Sequence, residues 1–206
     1  MQERSVKAAV ARRQLGTALA MYLADDDPVS VHCLACGGGE IADFLAREAG
    51  ATSFTQHALA VHPEMKESEL TRLRNQYWNA MKHALTRNGK VRSDSELLAQ
   101  FDDEQNDHAL FIGWHDYASA VGCLPVEVQA FQVWYFANFP EKLAEEFSVT
   151  DFERMFPNVR RMTRAEKKRL LSRKIVWAKK QKSIMQNART ENRKLILGRT
   201  AAPLPT

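Results

Sequence analysis

The chain has 206 residues, of which 45% are apolar and 26% charged, enough apolar material for one domain with an appendage or for two small domains. It has no run of about 18 uncharged apolar residues, which disfavours a bilayer-spanning protein. The net charge of +4 is unevenly distributed. Residues 160–199 hold 15 Lys and Arg but two Glu, whereas the remainder holds 14 basic and 23 acidic residues. Such asymmetry is typical of an intramolecular contact or of an anionic partner.

The cysteines and the N-terminal residues predict a cytoplasmic protein. Three cysteines are too few for a disulfide framework, and their odd number fits a reducing compartment. Arg12 and Arg13 interrupt the apolar part of the first segment, which makes it a poor secretory signal. Cys33 and Cys36 form a CxxC pair, but the sequence lacks further ligands at the spacing that a zinc or redox site needs. We therefore interpret them as two small side chains on a packed helix.

Apolar spacing predicts a first helix over residues 5–23 and a second over residues 28–49. Asp27 can cap the second helix, Pro28 suits its first position, and Gly50 can close it. Residues 37–39 of this helix are all glycine. Either another helix crosses closely there, or the helix breaks to form a loop. A phosphate-binding loop is a third interpretation, but no GxxxxGK[ST] pattern follows a strand.

Further helices are predicted along the rest of the chain, after a mixed connection at residues 51–67 that carries His57 and His62. The aromatic residues before Pro140 are expected in the core or, alternatively, on a dimer surface. Thr163 and Glu166 match a capping box that begins a long basic helix through at least Gln186. No strand shows sustained alternation, so the fold class is all-α. One predicted helix begins near residue 68 and covers residues 70–85. Others cover 102–121 and 126–139, with one or two short helices in 141–157. The predicted domains are a helical bundle at 4–140, a connector at 141–162 and a basic extension at 163–206.

The segment LTRLRNQYWNAMKHAL, residues 70–85, is the candidate site. At about 100° per residue, Arg72, Asn79 and His83 project from one face of a continuous helix, together with Gln76, while Tyr77 belongs to the packed face. This pattern indicates a helix that packs on one side and presents a guanidinium, amides and an imidazole on the other.

The pair Arg74-Asn75, followed by Lys82-His83, resembles the region around the signature of HEPN domains. The family's motif is an arginine, commonly followed by a polar residue such as Asn, and then a histidine a few residues later. This chain has eight residues between Arg74 and His83, more than the motif has. On a continuous helix those two side chains lie about 180° apart, whereas Arg72 shares the face of His83.

The HEPN resemblance implies a helical bundle and metal-independent RNA cleavage without a cofactor, as in ribonucleases of toxin and phage-defence systems. His83 would move the proton, Arg72 would hold the phosphate, Asn79 would orient the imidazole, and His32 would be a second imidazole. The alternative is that Asn79 and His83 form hydrogen bonds that set the register of the bundle. A non-catalytic interaction module that dimerises through the aromatic helix is then the main alternative function, and a homodimer is expected.

A second resemblance covers residues 12–140. The strings DPVSVHCLA, NAMKHA and AFQVWYFANFP resemble segments of a group of small bacterial proteins. In that group the positions of Cys33 and Cys36 are commonly Thr and Ala, which again favours a structural role for the thiols. The group implies no particular activity.

The basic extension is the candidate nucleic-acid surface. Its positive charges could neutralise phosphates, and Trp177 could stack on a base or simply anchor the helix. The alternatives are that the extension packs on the acidic remainder of the chain or mediates self-association. Binding to an acidic membrane surface is the last-ranked alternative. The candidate nucleic-acid-binding residues are Lys167, Lys168, Arg169, Arg173, Lys174, Trp177, Lys179 and Lys180.

Overall fold

The structure, a computed structural model, describes residues 2–143 and 147–198. Most of these residues are helical, which confirms the all-α fold class. Two strands of two residues each, β1 (Leu124–Pro125) and β2 (Thr190–Glu191), pair in parallel. The α-helices are α1 (Gln2–Ala24), α2 (Pro28–Glu48), α3 (Phe54–Val61), α4 (Glu67–Arg74), α5 (Gln76–Lys82), α6 (Ser95–Ala99), α7 (Glu104–Val121), α8 (Val126–Asn138), α9 (Val149–Met155), α10 (Arg164–Ala178) and α11 (Lys182–Met185).

The hydrophobic core lies where α2 packs along both α1 and α7, and α8 and α10 cover its other side. Leu15 of α1 and Trp114 of α7 are fully buried there. Tyr22 of α1 meets Phe131 of α8 edge to face, with ring centroids 5.8 Å apart. Leu171 of α10 is fully buried in the same core, so the basic helix packs against the bundle.

The aromatic residues of α8 belong to this core. Phe131, Trp134 and Tyr135 are buried, and Phe136 and Phe139 pack against them while partly exposed. Burial of such large apolar side chains contributes roughly 1.5–3 kcal/mol each. The core interpretation of this segment is confirmed.

Several predicted helix ends are confirmed because their capping residues take the expected geometry. Asp27 accepts a hydrogen bond from the backbone nitrogen of Ser30 at 2.9 Å, directly before α2. Gly50 and Gly122 follow α2 and α7 with φ of +74° and +83°, a conformation that favours glycine. At the start of α10, the backbone nitrogen of Thr163 donates to Glu166 at 2.8 Å, as a capping box requires.

The glycines of α2 mark close helix crossings, and α2 continues through them without a break. A Cβ added at Gly38 would lie 2.8 Å from the side chain of Leu15 in α1. A Cβ added at Gly39 would lie 3.4 Å from the Cα of Gly113 in α7. Glycine therefore lets α2 approach both neighbours at backbone distance, so the first interpretation holds and the loop interpretations do not.

The continuous helix predicted over residues 70–85 is wrong, because the helix breaks at Asn75. The backbone of Asn75 has φ −101° and ψ 8°, which separates α4 from α5. Arg74 of α4 donates to Thr55 of α3, whereas Tyr77 of α5 is buried and packs its ring against Phe101. The two halves are thus anchored to different parts of the molecule, and Asn tolerates the break since its side chain competes with helical hydrogen bonding.

The long basic helix is also shorter than predicted, since α10 ends at Ala178. The backbone nitrogen of Gln181 then bonds to the carbonyl of Ala178, which closes a turn before α11. Farther on, β2 pairs with β1, and Arg12 hydrogen-bonds to Glu191 and to the carbonyl of Leu195. These long-range contacts hold the segment after α11 against the bundle. They stabilise this path of the chain more than the helix propensity of the segment's residues would stabilise a longer helix.

Two shorter stretches also differ from the prediction. The connection at residues 51–67 contains α3, which begins with a capping box between Ser53 and Gln56. The residues after α8 form a 3-10 turn (Pro140–Lys142), and α9 follows. Part of the first predicted short helix there, residues 144–146, lies outside the described residues.

Candidate functional site

A cleft of about 600 Å³ opens between α2, the α4–α5 pair and α7. We call it the α2–α7 cleft. The break at Asn75 shapes it, because Arg74, Asn75 and Gln76 all line the cleft while α4 and α5 diverge. The cleft is also lined by His32, Cys36, Gly39, Glu40, Asp43, Phe44, Arg47, Thr55, Glu67, Leu73, Tyr77, Gln105, His108, Ile112 and Gly113.

One wall of the cleft is an ion-pair network between α2 and α4. Arg47 lies 2.9 Å from Asp43 Oδ2 and 2.7 Å from Glu67, so its guanidinium joins two carboxylates. Arg74 donates to the hydroxyl of Thr55 and lies 3.9 Å from Asp43 Oδ1. That last distance allows electrostatic attraction but is too long for a hydrogen bond.

The inner end of the cleft holds His32 and Cys36, both inward-facing on α2. Nδ1 of His32 lies 3.0 Å from Oδ1 of Asn106, and Nε2 lies 3.5 Å from the sulfur of Cys36. Burial lowers the pKa of His32, although the hydrogen bond to Asn106 acts in the opposite direction. Burial raises the pKa of Cys36 to about 12, so its thiol is protonated at neutral pH. The imidazole is neutral with a partner at each nitrogen, an arrangement typical of a structural histidine.

The other predicted catalytic residues lie outside the lining of this cleft. Arg72 is exposed on α4, Asn79 is half-buried on α5, and His83 is exposed at the residue that ends α5. Since the helix breaks between Arg72 and Asn79, the common face calculated for a continuous helix no longer describes their arrangement. The structure instead places Arg74, the arginine of the HEPN-like pair, in the cleft with His32.

Several polar residues of the cleft were not predicted as site residues from the sequence, notably Asp43, Arg47, Thr55, Gln105 and His108. The first two lie four positions apart on α2, a spacing that puts opposite charges side by side on a helix. That spacing was a usable signal within the sequence. Thr55 and Gln105 gave none, because only the tertiary fold brings α3 and α7 to the same opening.

The inner face of α10 binds acidic residues that lie outside the basic segment. Lys168 is buried, and its ammonium nitrogen lies 2.7 Å from Asp25 and 2.6 Å from Asp103. Arg164 donates to Asp103 and, through two nitrogens, to Asp107. Burial by itself would lower the pKa of Arg164, but the hydrogen bonds and charge of Asp107 raise it. These two cations are therefore occupied by carboxylates of the same chain.

The outer face of α10 has a different character. Arg169, Arg173 and Trp177 follow one another at four-residue spacing on this face, and all three are exposed. Trp177 is 50% exposed and its neighbour Val176 is 56% exposed. Lys180, just beyond the helix, is exposed as well. Among residues 2–143 and 147–198, no carboxylate lies within ion-pair distance of these arginines or of Lys180.

Three other predicted nucleic-acid-binding residues lie between these two faces. Lys167 and Lys174 are half-buried, and the ammonium of Lys174 lies 6.0 Å from the ring of Phe156. Lys179 is exposed but lies 2.6 Å from Glu127 of α8. The outer face of α10, defined as Arg169, Arg173, Trp177 and Lys180, is therefore a basic surface that is open to a partner.

The described residues lack a cluster of metal-ligand side chains and a helix that could span a membrane. No group of three or more His, Cys, Asp or Glu side chains within this part of the chain could hold a metal ion. None of its helices combines the length and the apolar content needed to cross a bilayer. Compared with protein-family models, curated proteins and solved structures, the chain matches none.

Proposed function

We propose that the chain binds RNA through the outer face of α10. The observation that carries this proposal is the division of the α10 cations into two sets. Arg164 and Lys168 are bound to Asp25, Asp103 and Asp107, whereas the outer arginines face solvent beside an exposed tryptophan. A helix held in place by one set of cations presents the other set at fixed spacing.

The chemistry of the outer face suits a single-stranded polyanion. Guanidinium groups bind phosphate oxygens through paired hydrogen bonds, and binding releases the counterions of the phosphates. An indole ring that is half exposed can stack on a base, which is worth roughly 1–3 kcal/mol. Arg173 and Trp177 lie one helical turn apart, so one strand can contact a phosphate and a base with both.

The test is the binding of a fluorescently labelled single-stranded RNA, followed by fluorescence anisotropy at low salt. The double variant Arg169→Gln and Arg173→Gln should bind roughly tenfold more weakly. Its salt dependence should also be shallower, by roughly 1.4 in the slope of log K against log salt, because each phosphate contact of a single strand contributes about 0.7. The matched control is Arg4→Gln with Lys7→Gln, which removes two exposed charges from α1 and should leave binding unchanged. Equal losses in the two double variants would refute a specific role for α10.

The tryptophan has its own test. Trp177→Ala removes the stacking surface without changing the charge, so we expect weaker RNA binding with an unchanged salt slope. An unaltered affinity in this variant would mean that the contact is purely electrostatic and would remove base stacking from the proposal.

Metal-independent RNA cleavage by an HEPN-like bundle, in a toxin or phage-defence role, is the second candidate function. It is favoured by the solvent exposure of Arg72 and His83, which leaves a guanidinium and an imidazole free to reach a strand. Incubation with total RNA without added metal tests it, with His83→Ala as the inactive variant. If the unaltered protein cleaves no RNA, the remaining candidate functions are a binding protein and an interaction module. The homodimer and the cytoplasmic location stay predictions.

A further inference from the structure

The α2–α7 cleft contains a hydrogen-bond acceptor that the protein itself does not use. Asp43 Oδ2 lies 2.9 Å from Arg47, whereas Oδ1 is buried and has no hydrogen-bond partner among the described residues. A carboxylate oxygen that is shielded from water and unpaired is costly, because it loses its hydration without a replacement. A turn of the Asp43 side chain, which is 20% exposed, would bring this oxygen to an N–H group of a ligand in the cleft and so provide that replacement.

A donor lies beside this acceptor. Nη1 of Arg74 is 3.9 Å from Asp43 Oδ1, so the two groups are neighbours that are not hydrogen-bonded to each other. Arg74 uses one contact to hold Thr55, and a guanidinium has five N–H donors in all. The cleft therefore presents an acceptor and a donor side by side. A ligand that carries a donor next to an acceptor on one edge would hydrogen-bond to both.

The charge of the lining favours a neutral ligand. Three carboxylates, of Glu40, Asp43 and Glu67, face two guanidiniums, of Arg47 and Arg74. Both guanidiniums already have carboxylate neighbours, which makes the cleft a poor site for a free phosphate. Two of the three carboxylates, those of Asp43 and Glu67, are already paired with Arg47, which weakens the attraction for a cation as well.

The walls of the cleft suit a flat ring. Phe44 of α2 is 50% exposed and Leu73 of α4 is 47% exposed, and both line the opening. Tyr77 and Ile112 line it as well. Aromatic and aliphatic surfaces of this kind stack on planar heterocycles, and an exposed phenylalanine at a cleft is available for that contact.

We infer that the α2–α7 cleft binds a single nucleobase, with Asp43 and Arg74 contacting its hydrogen-bonding edge and Phe44 contacting its face. Every natural base has an N–H donor next to an acceptor on that edge, and unpaired bases are commonly recognised there. The base can belong to a free nucleoside or to an unstacked residue of a strand. This site is separate from the outer face of α10 and does not depend on it.

Calorimetric titration of the full chain with guanosine, adenosine, cytidine and uridine tests the inference, with ribose as the probe that lacks a base. At least one nucleoside should bind below about 1 mM, and ribose should not bind. Asp43→Asn should weaken that binding roughly tenfold, because a charge-assisted hydrogen bond is lost. The matched control is Glu48→Gln, which removes one exposed charge from the same helix and should bind as the unaltered protein does.

A second variant covers the case in which Asp43→Asn does not fold, as judged by its circular dichroism. Phe44→Ala changes an exposed side chain, so it should fold and still bind the nucleoside several-fold more weakly. The inference is overturned if none of the four nucleosides binds, if ribose binds equally well, or if every folded cleft variant matches the Glu48→Gln control.

A short single-stranded RNA distinguishes the two sources of the base. If it displaces the nucleoside from the cleft at lower concentration than free nucleoside does, the natural ligand is a strand. If the RNA needs a higher concentration than the free nucleoside does, the natural ligand is a free nucleoside. Nucleosides have no phosphate, so the Arg169→Gln and Arg173→Gln double variant should bind them normally even if it has lost RNA binding.

Discussion

The ammonium nitrogen of Lys168 lies 2.6 Å from a carboxylate oxygen of Asp103, and the lysine side chain is only 4% exposed. Asp25 lies on the other side of the same ammonium, 2.7 Å away. This buried cation links α10 to the residues that precede α2 and α7. A basic residue that sequence alone assigns to an RNA surface is thus part of the stability of the fold.

Replacing Lys168 with methionine should therefore destabilise the protein without weakening RNA binding. Loss of one partner leaves two carboxylates facing each other, which costs about 2 kcal/mol, since both remain partly open to solvent. Urea unfolding measures the stability, and fluorescence anisotropy measures the binding. Arg173→Met should show the opposite pattern, with normal stability and weaker binding, because its guanidinium lies on the exposed face. Weaker RNA binding in a folded Lys168→Met protein would contradict this assignment.

The helix crossing at Gly113 predicts a second loss of stability. A Cβ added at this position would lie 2.6 Å from Leu15 and 3.3 Å from the Cα of Gly39. Gly113→Ala should therefore lower the free energy of unfolding by about 1–3 kcal/mol, the usual cost of overpacking a core. Gly198→Ala is the control, since nothing lies within 4 Å of a Cβ added there. Equal unfolding midpoints for the two variants would argue against a close crossing of α2 and α7.

The burial of His32 predicts a pH dependence of stability. Its pKa in the folded protein is lowered by burial, whereas the unfolded imidazole has a pKa of about 6.5. Between those two values the unfolded chain binds more protons, so the free energy of unfolding should fall as the pH is lowered through that range. His32→Gln should lose part of this fall, as measured by urea unfolding at about pH 7.5 and pH 5.5. The control His57→Gln alters an exposed histidine, and a pH dependence identical to that of His32→Gln would exclude His32 as the source.

The contact of α1 with the C-terminal segment predicts a local opening. Arg12 is buried and donates to Glu191 and to the carbonyls of Lys194 and Leu195. Arg12→Met should increase hydrogen exchange in residues 190–197 far more than in α2, because it removes the donor that holds this segment. Arg4→Met changes an exposed arginine of the same helix and should leave that exchange unchanged. Uniform acceleration throughout the chain would indicate global destabilisation instead.

Helix ends and core faces could be predicted because their causes lie within a few residues. Asp27 with Pro28, and Thr163 with Glu166, are local capping patterns, and both act as expected in the structure. The glycines of α2 could be interpreted only in part, since three in a row cost helix stability and left either a close helix crossing or a break as the explanation. The Ser53 and Gln56 box before α3 was an equally local signal that the sequence interpretation passed over.

The candidate sites were harder to predict, because tertiary contacts set them. Nothing near Asn75 in the sequence reveals that Arg74 will reach Thr55 while Tyr77 turns toward Phe101. The end of α10 at Ala178 likewise depends on β2 pairing with a strand 66 residues earlier in the chain. Even the division of the basic residues between an inner and an outer face required knowing which side of α10 meets the acidic remainder of the chain.

The parallel pairing of β2 with β1, together with the reach of Arg12 to Glu191, bears on how the protein is made. Arg12 leaves the ribosome long before its partner, which follows 179 positions later. Until then its guanidinium has neither the carboxylate nor the carbonyls that later hold it, beside helices that can already pack. We therefore expect the closing step of folding to wait until residues 190–197 have left the ribosome, and the nascent chain to need protection at that unfinished edge until then.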